Sequence, residues 1–308
     1  MITFHEAEFE NFGRCLWIEN GAVEAVVSLD VGPRVLRFAF TGGRNLLRTE
    51  PERATRWSGP QYDAFYGAGS VSYAYGGHRL WVTPERAPQT YYPDNAPVAW
   101  EKAGQSFRFM PPPQRENGIA LTLTLEMDPH LPRMTVINGV KNVSDEEKEL
   151  AVWSVTAMDL GGTAMLRQSE DETGFLPNRT VSLWAYTDPA DERLTLTKKY
   201  LTVRQDPAVR GAAKIGINDR AGRAVYRLGE DVFRRETAPH DPARTYPDGG
   251  VSSEIYVSPI ILELEALGPV GRLAPGGEAT LREDWSLVKA PAVPEEETDA
   301  FWAAVWQA

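Results

Sequence analysis

Two stretches of the sequence concentrate side chains that can do chemistry. GGHRLWVTPE, residues 76–85, sets His78, Arg79 and Trp81 behind a pair of glycines, and ELE at 263–265 holds two carboxylates one residue apart. On an extended strand Glu263 and Glu265 would project from one face about 7 Å apart. Inside a cleft such a pair raises the pKa of one member, which suits proton transfer; on an open surface both carboxylates would be solvated and inert. An arginine beside a tryptophan and several tyrosines is the composition of a sugar site. Ring faces stack on C–H surfaces, and the guanidinium forks to neighbouring hydroxyls. The competing structural role for this stretch is an arginine salt bridge, with Trp81 in the core and His78 a satisfied polar residue. Strict alternation sets Arg79 and Trp81 on one strand face and His78 and Leu80 on the other, unless the glycines introduce a bulge.

Other polar groups gather nearby in sequence. DAFYGAGSVSYAYGG (63–77) is Gly-rich and aromatic, more like the lining of a cleft than a simple hairpin. YYPDNAPV (91–98) offers Tyr92, Asp94 and Asn95 as ligand contacts, although Asx side chains in such a turn equally cap their own backbone. TYPDGG (245–250) adds Tyr246 and Asp248. Metal and cofactor signatures do not stand out. His5, His78, His130 and His240 are far apart, QSEDETG (168–174) lacks calcium-loop spacing, and no phosphate-binding glycine loop or nucleophile elbow occurs. Neither a metal nor a cofactor is expected. The single cysteine, Cys15, reads as a small buried residue.

The elements that must position these residues are strands. Prolines and glycines recur every few residues, and between them lie short alternating runs: 22–30, 34–40, 119–127, 133–142, 149–158, 180–187, 198–205, 224–229, 253–267 and 279–288. In IALTLTLEM, Ile119, Leu121, Leu123 and Leu125 face one way while Thr122, Thr124 and Glu126 face the other. Many strands without interleaved helices predict antiparallel sheets in one all-β domain over 1–308. The exception is a C-terminal helix over about 295–307, whose Trp302, Val305 and Trp306 share a face. A net charge of −11 argues against nucleic acid as a partner. No apolar run is long enough for a membrane span, and the acidic N-terminal residues do not resemble a signal peptide, so a cytoplasmic monomer or homodimer is expected.

Several motifs, taken in order, carry a more specific likeness. GGHRLWVTPE, YYPDNAPV, WSVTAMDLGG, KIG (214–216), TYPDGG and ELEALGPVGRLAPGGEATLREDW together resemble a bacterial domain family of unassigned function within the galactose mutarotase-like superfamily. The likeness runs from about residue 10 to 290 and is most specific in the E-x-E-x-L-G-P segment followed by L-x-P-G. It implies a β-supersandwich with a carbohydrate site on a concave sheet face. It also implies that Glu265, with Glu263 second, stands where aldose 1-epimerases place the base that takes the anomeric proton. His78 and Arg79 would fill that family's earlier histidine and arginine positions. The family's mid-chain histidine has no counterpart: ELAVWSVTAMDLGG offers Trp153, Thr156, Met158 and Asp159 instead. The expected activity is therefore carbohydrate binding in the cleft, with epimerase or mutarotase chemistry by Glu265. The alternatives are a non-catalytic carbohydrate-binding protein and a uronate polysaccharide lyase using Tyr92 or Tyr246 as base, with Arg79 neutralising the uronate.

Overall fold

The alternation seen in the sequence becomes two large antiparallel sheets in the computed structural model, which describes residues 1–290 and 298–307. In the strand Ile119–Met127 the side chains of Leu123, Leu125 and Met127 are buried, while Thr122, Thr124 and Glu126 remain half-buried. Among the described residues, one sheet has eleven strands and the other ten.

The centre of the first sheet is built from strands distant in sequence. His78–Thr83 pairs with Lys148–Met158, which pairs in turn with Ile261–Leu267; Ser253–Ser258 and Ala213–Ile217 follow. The middle of the second sheet comprises Asp231–Glu236, Glu278–Lys289, Arg133–Asn142 and Ile119–Met127. Between the sheets lies an apolar core that includes Leu16, Phe38, Phe107, Leu125, Phe233 and Trp285. The aromatic members meet edge to face, with Phe38 and Phe233 lying 5.6 and 5.1 Å from Trp285. Burial of this surface is the main force holding the sheets together.

Two details depart from the sequence-based outline. The run 253–267 is not one strand but a hairpin, Ser253–Ser258 and Ile261–Leu267, turning at Pro259–Ile260. Proline cannot donate to a ladder, and here it ends one. The run 180–187 pairs only over Val181–Leu183. The C-terminal helix spans Asp299–Gln307, and Trp302 and Val305 pack with Phe301 on Met165, Val225 and Val232; the expected start at 295–297 lies outside the described residues. Cys15 is buried, and burial pushes its thiol up to about 12. No helix among the described residues is long and apolar enough to cross a membrane.

Candidate functional site

The register of the central strands determines which side chains share a face. Arg79 stands opposite Val155, Val155 opposite Glu265, and Glu265 opposite Glu254. Two residues along, Glu263 stands opposite Tyr256 and Tyr256 opposite Lys214. Strand partners point the same way, so these residues rise together from the outer face of the first sheet. Of these, Arg79, Lys214, Tyr256, Glu263 and Glu265 line a cleft of about 470 Å³ whose walls also include Trp57, Trp81, Tyr91, Trp153 and Trp184. The aromatic rings form a connected wall. Trp57 stacks on Tyr91 at 4.5 Å, Tyr91 meets Trp81 edge-on at 5.3 Å, and Trp81 leans on Trp153 at 5.0 Å.

The two sequence-predicted carboxylates both enter this cleft, in different states. Glu265 is held. Its Oε2 accepts hydrogen bonds from Trp153 Nε1 (2.7 Å) and Lys214 Nζ (2.8 Å), while its Oε1 takes none among the described residues. Lys214 also pairs with Glu254 Oε2 at 2.7 Å and lies between the Trp153 and Trp184 rings, 4.9 and 4.5 Å from their centroids. Burial opposes the Lys214 charge, but the two adjacent carboxylates outweigh it and hold the ammonium well above its usual value. Burial, together with the charge of Glu265, keeps Glu254 well above the ordinary carboxylate range. Its space exists because position 216 is glycine: a Cβ there would come within 3.1 Å of Glu254 Cγ and 2.8 Å of Val251 Cγ2. Glu263 is free by contrast. No hydrogen bond or ion pair engages its carboxylate among the described residues, and burial, with Glu265 adding to it, raises its pKa to about 7.

Arg79 and Trp81 also line the cleft, as their shared strand face requires. Arg79 is 6% exposed and lies over the Trp81 ring, 3.9 Å from its centroid. Burial, and then the nearby Arg34, pull its pKa down to about 10, which leaves it fully charged at neutral pH.

His78 is elsewhere. It points into the sandwich, 0% exposed, with Nδ1 2.9 Å from Thr156 Oγ1 and Nε2 3.0 Å from Asn138 Oδ1. Asn138 Nδ2 donates to Glu283 Oε1 at 3.0 Å, so the Asn138 oxygen faces the imidazole. Nε2 therefore carries the proton, and Nδ1 accepts from the threonine. Burial lowers the pKa of the ring and keeps it neutral. The expectation that His78 serves in the site is corrected by this placement: strand alternation turns it to the face opposite Arg79. No histidine lines the cleft among the described residues.

The remaining expected contacts are distributed around the cleft. Asp248, in a left-handed conformation at φ +51°, lies beside Lys214, Trp153 and Trp184 at the mouth. Tyr92 and Asp94 line a separate small cavity that reaches the other side of Trp81. Asp94 pairs with buried Arg34 at 2.6 Å, and Asn95 accepts from Tyr75 Oη and donates to Val71 O, both at 2.7 Å. Tyr246 stacks on His240 at 4.2 Å and accepts from the Asp241 amide. Asp94, Asn95 and Tyr246 are thus committed to holding loops, and neither tyrosine of the lyase alternative lines the cleft with Arg79. Lys214, Glu254, Trp184 and Tyr256 were missed as site residues. Reading 253–267 as a hairpin would have brought Glu254 opposite Glu265 and Tyr256 opposite Glu263.

No family model matches the chain, and no curated protein matches it in sequence. Solved structures do match. A galactose mutarotase-like protein from Lactobacillus casei superposes with a TM-score of 0.57 at 10% identity, over 89% of this chain and 100% of its own. A candidate aldose 1-epimerase from Klebsiella pneumoniae gives 0.55 at 12% identity, covering 99% and 86%. Slr1438 from Synechocystis gives 0.54 at 10% identity, covering 92% and 95%. At these identities the likeness is one of architecture, and the chain has the galactose mutarotase-like fold.

Proposed function

We propose that the aromatic cleft binds a carbohydrate and that Glu265 and Glu263 move protons on it, in the manner of an aldose epimerase. The supporting observation is the pairing of two carboxylates in one aromatic-walled cleft, one anchored by Lys214 and Trp153 and the other free and poised near neutrality. Epimerisation at an anomeric carbon requires these two states. A base takes the proton from the anomeric hydroxyl while an acid protonates the ring oxygen. The bond between the anomeric carbon and the ring oxygen breaks to give the open aldehyde. Rotation about the next carbon–carbon bond and closure on the opposite face return both protons. Glu265 is the base: its anchored Oε2 fixes the carboxylate and leaves Oε1 to accept. Glu263, protonated up to about pH 7, is the acid, and it takes the part for which the fold's usual histidine is missing.

A second reading, binding without catalysis, draws on the Lys214–Glu265 ion pair at 2.8 Å, which engages that carboxylate as a structural anchor. Mutarotation of a panel of aldoses, followed by polarimetry or exchange NMR, separates the two. Catalysis predicts that Glu265→Gln and Glu263→Gln each lower the rate by about 10²–10⁴. It also predicts a wild-type rate that falls as pH rises through about 7, where Glu263 loses its proton, a limb absent from Glu263→Gln. Wild-type protein that binds a sugar but accelerates none establishes the binding module instead.

A further inference from the structure

The two cations closest to the carboxylate pair are in opposite situations. Lys214 is neutralised, with Glu254 and Glu265 at 2.7 and 2.8 Å. Arg79 is not. The residue is buried and charged, its guanidinium faces the cleft, and it has no hydrogen bond or ion pair among the described residues beyond its stacking on Trp81. A guanidinium carries five N–H donors in a planar fork that matches a carboxylate, and here no protein acceptor takes up that fork. Arg48, half-buried on the same cleft, likewise has no ion pair.

We infer that the sugar held by this cleft carries a carboxylate, and that Arg79 is the residue that reads it: the ligand is a uronic acid. The inference rests on the carbohydrate reading above and narrows it. Charge balance argues against a dianion. Glu50, Glu85, Glu263 and Glu265 line the cleft against Arg48, Arg79 and Lys214, so a phosphate ester approaching two negative charges would meet more acid than base. Covalent geometry agrees with this assignment. In a hexuronate the carboxylate is attached to the carbon on one side of the ring oxygen, and the anomeric carbon lies on the other side. Arg79 and Glu265 flank Val155 in register, two strand spacings or roughly 10 Å apart at the backbone. A carboxylate anchored at Arg79 therefore leaves the ring oxygen and the anomeric hydroxyl to reach across Val155 toward Glu265. The Trp81 ring serves both as a stacking platform for the guanidinium and as a wall of the site.

The test is calorimetric titration of the full chain with D-glucuronate, D-galacturonate, D-glucose, D-galactose and glucose 6-phosphate at fixed ionic strength. The wild type should bind at least one uronate roughly 10- to 100-fold more tightly than its neutral counterpart, the range expected of a charge-assisted pair. Arg79→Gln should bring that uronate down to the level of the neutral sugar, and Arg79→Lys, which keeps charge but loses the fork, should recover part of the preference. Neutral sugars binding as tightly as uronates in the wild type would overturn the inference without any variant needing to fold, as would a preference that survives Arg79→Gln. Tighter binding of the phosphate ester would overturn the carboxylate assignment. Binding of no sugar at all would remove the carbohydrate reading itself, and this inference with it.

Discussion

His78 and Arg79 are adjacent in sequence, both buried, and turned to opposite faces of one sheet. Behind the sheet, His78 belongs to a chain in which each group satisfies the next: Thr156 donates to the ring, the ring to Asn138, Asn138 to Glu283, and Trp285 Nε1 to Glu283 Oε2 at 2.8 Å. In front of the sheet, Arg79 and Glu263 carry hydrogen-bonding capacity that no protein group uses. Burial and a polar side chain are common to both faces and so do not mark a site. Unused capacity facing a cleft does.

The largest effect in this comparison is expected from breaking the satisfied chain. Asn138→Ala would leave the His78 Nε2–H and a Glu283 oxygen unpaired in a dry interior. The expected loss is about 2–4 kcal/mol of stability, or roughly 3–6 °C in Tm for a chain of this size. Ligand affinity, measured well below Tm, should stay within about twofold, because nothing in front of the sheet has changed. Thermal unfolding and calorimetry read the two quantities separately. A large affinity loss with intact stability would contradict the division between the faces.

The next effect comes from titration, and the two faces should respond in opposite directions. The pKa of Glu263 is raised in the folded protein, so its contribution to stability is complete below the ordinary carboxylate pKa of 4.5 and is lost as pH climbs through about 7. The pKa of His78 is lowered, so its contribution is complete above 6.5 and is lost on acidification below that value. Glu263→Gln should therefore match the wild type near pH 4.5 yet exceed it by about 1–3 kcal/mol at pH 8, allowing for the partial exposure of the side chain. Denaturant melts at both pH values test this. Equal stabilities at pH 8 would mean that the Glu263 carboxylate ionises without penalty and is not poised as an acid.

The sequence made the faces of single strands legible and left the neighbours of those strands hidden. Period-two alternation separated Arg79 and Trp81 from His78 and Leu80 correctly. It was the family likeness that drew His78 toward the site, against that alternation. Gly76 and Gly77, both at positive φ, pass close to the Arg48 and Val35 carbonyls, where a Cβ would come within 2.3 and 2.4 Å. They bend the chain into the strand without shifting its faces. Glu263 and Glu265 were visible as a same-face pair, but nothing local told which face lined a cleft. That depended on register with Arg79, more than 180 residues away, and long-range strand pairing leaves no mark in a local window. Lys214 and Glu254 were hidden for the same reason: Glu254 comes beside Glu265 through the hairpin, and Lys214 joins them only because Ala213–Ile217 pairs with Ser253–Ser258.

The smallest expected effect concerns Asn95, whose segment sequence reading left open between turn and ligand contact. In the fold its side chain joins two loops, accepting from Tyr75 Oη and donating to the Val71 carbonyl. Asp94 next to it is tied to Arg34. Neither residue lines the cleft of Glu263 and Arg79, although Asp94 borders the small cavity behind Trp81. Asn95→Ala removes two exposed or part-buried hydrogen bonds, and the net worth of such bonds is about 1 kcal/mol or less in total once water replaces them. Ligand affinity should change by less than about twofold, the level of substitutions remote from a site. Calorimetry with the tightest-binding sugar, beside a denaturant melt, reads both. A tenfold loss of affinity at unchanged stability would show that the ligand extends past Trp81 to the 92–95 turn, so that the small cavity behind Trp81 belongs to the same binding site.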